Sequence, residues 1–550
     1  MTWRTGYPHY NQRRVFSQSA TPAAGSTLLA IFGVLSVAVV LRLLFFNGPF
    51  GSDDLVYLTR AIQISQGEWS SANYNGALRY GFNIPAGLFI YIFGVNLAAA
   101  NLWPLLCSLA EIVAVYFFAA KLWGARAALF AALILAFIPI HVAVATRIHA
   151  DPIVSCFLTL SFIFFYFAEQ HRSRRLYFLT GLAMGMVFWA KELAVIALFA
   201  FALYPLLWRK FDTRWAYVIA GGLTMLFAHL ALMYFIAGDP FHAFKVILGQ
   251  VSGDIIQRGY GEDAVGYYFK YLFFDIKHTW LVGIIAAFAL LLLPLRRIRE
   301  GRMEPGLTYV AFWLLSLLAV LSFPPISLDP LRFVMKQSNY LTLFLAPMAL
   351  LAGYQLARAP RWLGVILLSV VLGGGFLLSA LEQQAYQVFT SNSKAAVSFA
   401  KKHPGAPIAG STNNGNIANV YAILEGNPGL AQQFRYLDEA LRAKSEQDNI
   451  KAPIAGYAIL DQETMAWGAN AIDLPRPLPC WQLAQALAPE GFGASRVLLE
   501  SGMYVAAAFP EFLRTRVLPP LERLARPRPA HIYRVNLSDV GCEAAPEVSR

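Results

Sequence analysis

Residues Thr27–Tyr57 read TLLAIFGVLSVAVVLRLLFFNGPFGSDDLVY, an apolar run from Thr27 to Phe46 followed at once by two adjacent carboxylates, Asp53 and Asp54. The run has the length a bilayer-crossing helix needs, about 20 residues. A carboxylate pair at the mouth of such a helix is costly unless water or a partner receives it, so it marks either the solvated cap of a short surface helix or a site.

Composition makes this run one of many. The 550-residue chain is 57% hydrophobic and 14% charged, with a mean hydropathy of +0.50, and this points to a polytopic α-helical membrane protein. Further apolar runs at 97–120, 125–141, 152–168, 176–190, 192–208, 215–236, 279–295, 307–323, 338–355 and 362–380 predict eleven spans in a membrane domain of residues 27–380. Residues 82–96, interrupted by Asn83, Pro85 and Gly94, read instead as an interfacial or re-entrant helix. No cleavage pattern follows the first run, so residues 1–26 are expected to be a cytoplasmic tail.

The formal charge of +12 lies wholly in residues 1–380, with 28 basic against 16 acidic, whereas residues 381–550 hold 16 of each. Lys121 with Arg126, Arg172 to Arg175, Arg209 with Lys210, Arg296 with Arg297, and Arg358 with Arg361 fall on the side of the N-terminal arginines, as the positive-inside rule requires. The excess is therefore topological, and no nucleic-acid partner is expected. The outward face collects loops 47–96, 141–151, 238–278 and 324–336, the Lys191-Glu192 turn and the tail 381–550.

Within 238–278, Gly249–Gly261 reads as a mobile lid and Tyr267–Phe274 as an interfacial amphipathic helix. The tail reads as a soluble α/β domain: helices at Ser393–His403 and Leu437–Lys444, strands at Pro407–Gly410, Lys451–Leu460, Ser495–Glu500 and His531–Val535, and an irregular basic stretch at Leu521–Pro529. Cys107 and Cys156 lie in apolar runs, while Cys480 and Cys542 lie in the tail and can pair in an oxidising compartment.

If the outward cleft joined a sugar to an acceptor from a lipid-linked phosphate, the chemistry would need a carboxylate base and cations for the leaving phosphate. Asp53, Asp54 and Asp151 are the carboxylate candidates; neighbours on a helix diverge by about 100°, so one of the first two points inward. Lys191, Arg332, Lys336 and Arg147 are the candidates for the phosphate, with a Lys191–Glu192 salt bridge as the plain alternative for Lys191. Tyr57, Glu68, Arg79 and Tyr340 are candidates for the acceptor or sugar. A divalent cation, Mg or Mn, is compatible with Asp53, His149 and Asp151, with His141 a weaker member.

The order of these features resembles a family. Asp53-Asp54-Leu55-Val56-Tyr57, Gly67-Glu68-Trp69, Pro139-Ile140, Arg147-Ile148-His149-Ala150-Asp151, Gly181 to Lys191, Arg332 and Tyr340 are similar to the pattern of GT-C fold membrane glycosyltransferases. The likeness is to bacterial protein mannosyltransferase and aminoarabinose (lipid A) transferase relatives in particular, over residues 27–380. The resemblance implies a polyprenyl-phosphate sugar donor, with undecaprenyl phosphate as carrier, and inverting transfer to a lipid, glycan or protein. It also implies a bacterial inner-membrane enzyme, monomeric, with residues 381–550 periplasmic. Asp53 falls at the family's catalytic carboxylate and Asp54 at its usual glutamate; Asp151 matches the second-loop acid, Lys191 the phosphate-holding lysine, and Arg332 or Lys336 the later basic residue. Two other readings share the lipid-linked sugar: a flippase or transporter, which predicts charges near the bilayer midplane and on both faces, and an O-antigen-type polymerase or ligase, which predicts one long Arg- and His-rich outward loop.

Overall fold

The computed structural model describes residues 24–209, 211–257, 263–300, 304–437, 455–465, 476–490 and 492–536. The helices that carry the argument are α1 (Ala24–Leu44), α2 (Asp53–Ser65), α3 (Tyr80–Phe93), α4 (Leu97–Trp123), α5 (Ala125–Phe137), α6 (Pro139–Ala145), α7 (Asp151–His171) and α8 (Arg174–Ala190). They continue with α9 (Leu203–Trp208), α10 (Ala216–Ala237), α11 (His242–Gln250), α12 (Val282–Glu300), α13 (Pro305–Ser322), α14 (Leu345–Arg358) and α15 (Arg361–Lys402).

Among the described residues, seven helical stretches are long and apolar enough to cross a bilayer, and eight when α5 and α6, bent by 62° at their junction, count as one. The expected eleven included three that fall short. Helix α8 has 17 residues, residues 192–208 divide into a 3₁₀ stretch, Glu192–Ala202, and α9, and α12 ends in Arg296-Arg297 and further charge. The α5–α6 bend follows from Pro139: Ile138 before it leaves the helical region (φ −63°, ψ 122°), as a residue preceding proline tends to do. Helices α8 and α10 cross backbone to backbone, since a Cβ on Gly181 would lie 2.0 Å from the Val218 carbonyl oxygen and one on Gly221 2.3 Å from that of Phe178.

Helix α15 corrects the expected end of the last span. It runs unbroken for 42 residues from the apolar segment into the tail, because its glutamines are not a solvated end: Gln384 and Gln387 are buried against the following domain and Gln383 donates to the Leu44 and Phe46 carbonyls at the end of α1. Among the described residues that domain has a sheet of five strands in the order β4-β3-β5-β7-β6, after a small hairpin of β1 (Pro325–Leu328) and β2 (Leu331–Phe333). In the sheet, β3 (Ile408–Gly410) is parallel to β4 (Phe434–Tyr436) and β5 (Ala455–Leu460), and β7 (Ala530–Asn536) is antiparallel to β5 and β6 (Gln482–Leu487). Ala396, Val397 and Phe399 of α15 pack on this sheet, together with α16 (Thr412–Leu424).

Two further expectations change here. Ser495–Glu500 is not a strand but part of helix α17 (Ala494–Ala507), and the basic stretch from Leu521 begins inside α18 (Glu511–Ala525). Tyr267–Phe274 is helical, with Tyr268 and Leu272 buried in the main core and Phe269 and Phe274 exposed. The proposed lid Gly249–Gly261 and helix Leu437–Lys444 lie partly outside the described residues. Cys107 and Cys156 are free and buried; Cys480 is disulfide-bonded, and Cys542 lies outside the described residues.

Candidate active site

The loop between α1 and α2 is held from two sides. Toward the bundle, the Asn47 side-chain amide donates to the Ala143 carbonyl at 3.1 Å and the Gly48 N–H to the Thr146 carbonyl at 3.1 Å. Toward the tail domain, Gly51 (φ +91°) lies so close to α16 that a Cβ would sit 2.8 Å from the Ile417 side chain. Only glycine meets both demands without strain.

Asp53 and Asp54 then diverge. Asp54 is fully buried: its carboxylate accepts the Phe50 N–H at 2.8 Å and lies 3.8 Å from Arg147. Arg147 itself packs on the adjoining Phe50 and Tyr386 rings, 4.8 and 4.9 Å from their centroids, which lie 5.2 Å from each other. Burial pushes the Asp54 carboxyl above the usual range against the pull of Arg147. Asp53 keeps 31% of its side chain exposed. It accepts the Tyr74 hydroxyl at 2.7 Å and Arg79 at 3.3 Å. Burial raises its pKa as well, but Arg79 and Tyr74 outweigh burial and hold the carboxyl below the ordinary carboxylate value.

Arg79 organises this half of the site. Its fork binds Glu192 at 2.9 and 2.8 Å, and it also donates to the Tyr57 hydroxyl. Asn75 adds a bond to Glu192 at 3.1 Å. The second half is built on Asp151, which takes Lys191 at 3.0 Å and the Asn339 amide at 3.0 Å and lies against the His149 ring. Lys191 stands 4.4 Å from the centroid of the Tyr340 ring. The halves meet at Tyr57, whose ring lies edge-on to His149 with centroids 6.4 Å apart.

Lys191 and Glu192, expected as a possible pair, instead serve different halves. The extended backbone at Lys191 (φ −161°, ψ 110°) sends consecutive side chains to opposite sides. Beyond Tyr340 an almost wholly apolar cavity of about 180 Å³ is lined by Ala194, Ile196, Leu321, Val334, Met335 and Leu343 among others. Arg332 and Lys336 flank it on the β2 side, and both turn to the 263 segment: Arg332 lies 3.5 Å from the Asp263 carboxylate, and Lys336 donates to the Asp263 and Val334 carbonyls at 3.1 and 2.9 Å. Glu68 is exposed past the end of α2, and among the described residues its carboxylate joins no hydrogen bond or ion pair with either half.

The donor set does not suit a divalent cation. Asp53 is engaged by a guanidinium and Asp151 by an ammonium, so each carboxylate is already neutralised, and no group of three or more His, Cys, Asp or Glu able to hold a metal occurs among the described residues. His141, considered with His149 and Asp151, belongs elsewhere. Its Nε2 lies 3.2 Å from Glu111 and its Nδ1 2.8 Å from Arg42. Glu111 also accepts the Ser155 and Thr159 hydroxyls, each at 2.8 Å, and Arg42 donates to Ser108 at 3.0 Å. Arg42, Glu111, Asn75 and Asn339 were missed from sequence, and Glu192 was read only as a salt-bridge partner of Lys191; the signal available was a charged residue inside an apolar run, at Arg42 and Glu111.

The sequence profile of the dolichyl-phosphate-mannose-protein mannosyltransferase family matches residues 83–234, a stretch that holds Asp151 and Lys191. No curated protein sequence matches. The apo crystal structure of ArnT from Cupriavidus metallidurans superimposes with a TM-score of 0.53 over 80% of this chain and 94% of that one, at 16% identity. The same enzyme bound to undecaprenyl phosphate gives 0.48 over 74% and 77%, at 17% identity. The apo oligosaccharyltransferase of Archaeoglobus fulgidus gives 0.48 over 75% and 64%, at 11% identity. The fold is the one seen in ArnT, the GT-C fold, and the family profile covers residues 83–234 of this chain.

Proposed function

We propose that this chain is a glycosyltransferase that moves a sugar from a polyprenyl-phosphate donor, undecaprenyl phosphate in a bacterium, to an acceptor at the outward face of the inner membrane. The observation that carries the reading is the junction of two ionic clusters, Asp53–Arg79–Glu192 and Asp151–Lys191, beside an apolar cavity at Tyr340. The family profile, named for a dolichyl-phosphate sugar, supports the donor class.

In this reading Asp53 is the base. Of the two adjacent aspartates it is the one with solvent access, and Arg79 keeps it ionised and ready to accept the proton of an acceptor hydroxyl. Lys191 holds the donor phosphate, whose negative charge grows as the sugar leaves; the ammonium stands over the Tyr340 ring, which lines the apolar cavity proposed for the polyprenyl chain. Arg332 and Lys336, next in sequence to the cavity-lining Val334 and Met335 and now turned to the 263 segment, are the further cations proposed for the phosphate. Attack from the Asp53 side on a sugar whose phosphate lies at Lys191 inverts the anomeric centre. In this reading the three shorter apolar segments cross as well, giving eleven crossings with residues 1–26 cytoplasmic and 381–550 periplasmic, as the alternation of basic loops along the sequence supports.

The test is release of polyprenyl phosphate by the purified protein in bilayers, given hexose, pentose and aminopentose donors with lipid, glycan and peptide acceptors. Release that depends on acceptor and disappears in Asp53→Asn is expected. A sugar lipid that crosses the bilayer unchanged would replace this reading by the flippase. Mass analysis of lipids and glycans from cells with and without the protein would name the sugar and acceptor.

A further inference from the structure

The helical hairpin α17–α18 hangs from the membrane-proximal turns of α15, and its path along that helix can be followed bond by bond. Ser398 donates to the Glu490 carboxylate at 2.9 Å, the Gly493 N–H donates to Gln387 at 3.0 Å, and the Ser495 hydroxyl donates to Gln384 at 3.0 Å. From 490 to 495 the chain therefore descends α15 toward its apolar segment. After the hairpin it climbs again: Gln384 donates to the Leu524 carbonyl at 2.8 Å, and Asn392 to that of Arg528 at 3.1 Å. The apolar part of α15 ends near residue 380, so at about 1.5 Å per residue Gln384 stands only about 6 Å beyond it.

The surface that the hairpin presents is unusual for the water-facing side of a domain. On α17, Val497, Tyr504 and Val505 repeat at helical spacing and are 64%, 83% and 61% exposed, opposite the buried Ser495, Leu499 and Ala506. At the tip, Phe509, Phe512 and Leu513 are exposed as well. Arg514 and Arg516 follow directly and are also exposed. An apolar stripe edged by arginine is what an element lying in the headgroup region of a bilayer requires. A domain docked to the bundle only through α15 and the aspartate loop would have no use for it.

We propose that α17–α18 is a membrane anchor of the tail domain: Val505, Phe509, Phe512 and Leu513 enter the leaflet at the active-site end of the bundle, and Arg514 and Arg516 bind its lipid phosphates. The occupant is the bilayer around the protein's own helices, because the chain enters and leaves the hairpin at the level where that bilayer ends. The proposal rests on the membrane reading of α15 and not on the transferase reading. By fixing the tail domain to the leaflet it would also hold α16 against Gly51, and so the aspartate loop.

The test uses the full chain in bilayers of phosphatidylglycerol and phosphatidylcholine, with spin labels on Phe512→Cys and Val505→Cys, and on Lys402→Cys at the far end of α15 as the aqueous control. Labelled wild-type chain sets the background. Labels at 505 and 512 should be protected from a water-soluble nickel relaxant by at least about five-fold relative to 402, and open to oxygen. Accessibility at both positions equal to that at 402 overturns the proposal. Protection that appears only on raising the protein-to-lipid ratio assigns the face to a second copy, and protection that appears only on adding an acceptor assigns it to the acceptor; either result overturns it as well. Because both positions are exposed, neither label disturbs packing, and two sites guard against a local artefact.

Discussion

The outward cluster around Asp53 and the network around Glu111 are both made of buried charge, and they are built in opposite ways. In the network every carboxylate oxygen is consumed by the protein: Glu111 is closed by Ser155, Thr159 and His141, with Arg42 behind. The outward cluster leaves one carboxylate partly open, sets it between Tyr74 and Arg79, and borders an apolar cavity. A closed network resists change and an open one can bind, so the first reads as the floor of the site and the second as its working face. The floor connects to the face through helix starts: Ser155 lies one turn below Asp151 and also donates to the Thr342 carbonyl at 3.0 Å, while Thr342 donates to Asn339 at 2.8 Å.

If the contrast holds, Asp53→Asn should cost the most, between about 10² and 10⁴-fold in kcat/KM, the range for losing a general base, with no change in the thermal unfolding midpoint. Activity within about three-fold of the parent would sink the base assignment. Glu111→Ala should behave the other way. Removing one partner of a buried ionic network costs about 3–5 kcal/mol, so the midpoint should fall, while the activity of the molecules still folded stays nearly unchanged. A lost activity with an intact midpoint would move Glu111 into the chemistry and erase the distinction.

Lys191→Ala should raise the donor KM by about 10- to 100-fold, the worth of one charge-assisted hydrogen bond, with little effect on the acceptor KM. Because the change also strands Asp151, the double variant Lys191→Ala/Asp151→Asn separates the causes: recovered stability without recovered donor affinity keeps Lys191 at the phosphate.

Much of the fold was legible because it is written in long apolar runs and in the side on which arginines fall. What sequence could not give were pairings that depend on direction. Lys191 and Glu192 look like partners when written side by side, yet an extended residue sends them to different clusters. Arg42, Glu111 and His141 are single polar letters in three separate runs, and nothing in the order of the chain shows that they meet. The tail was misread at Arg496-Val497-Leu498-Leu499, since a short apolar run carries no period that tells helix from strand. Asp53, Asp151, Lys191, Arg79 and Tyr340 were all visible from sequence, and the structure brings them together; Glu68 it leaves outside.

A smaller effect tests the electrostatics of the open half. Arg79 holds the Asp53 carboxyl below its ordinary value, so the ionised base persists as pH falls and is lost only below the usual carboxylate range. Arg79→Gln removes that pull, and burial then raises the pKa, so the acidic limb of the pH–rate profile should move to higher pH. An unmoved limb would mean that Asp53 does not set it.

The smallest expected effect comes from the neighbouring residue and is the sharpest on the comparison. Asp54 is closed like Glu111, on the Phe50 N–H and toward Arg147, although it stands beside the open Asp53. In Asp54→Asn the amide oxygen still accepts the Phe50 N–H, and the cost of burying a charge is removed while the pull of Arg147 is lost. These terms oppose each other, so activity should stay within about three-fold and the midpoint should barely move. The sign with pH is also fixed: with its folded-state pKa raised by burial, Asp54 favours the folded state below its unfolded pKa and loses that contribution as pH rises. The parent should therefore lose, relative to Asp54→Asn, a little stability between mildly acidic and neutral pH. If Asp54→Asn instead abolished transfer while Asp53→Asn did not, the open and closed carboxylates would have to exchange roles, and exposure would no longer mark the base.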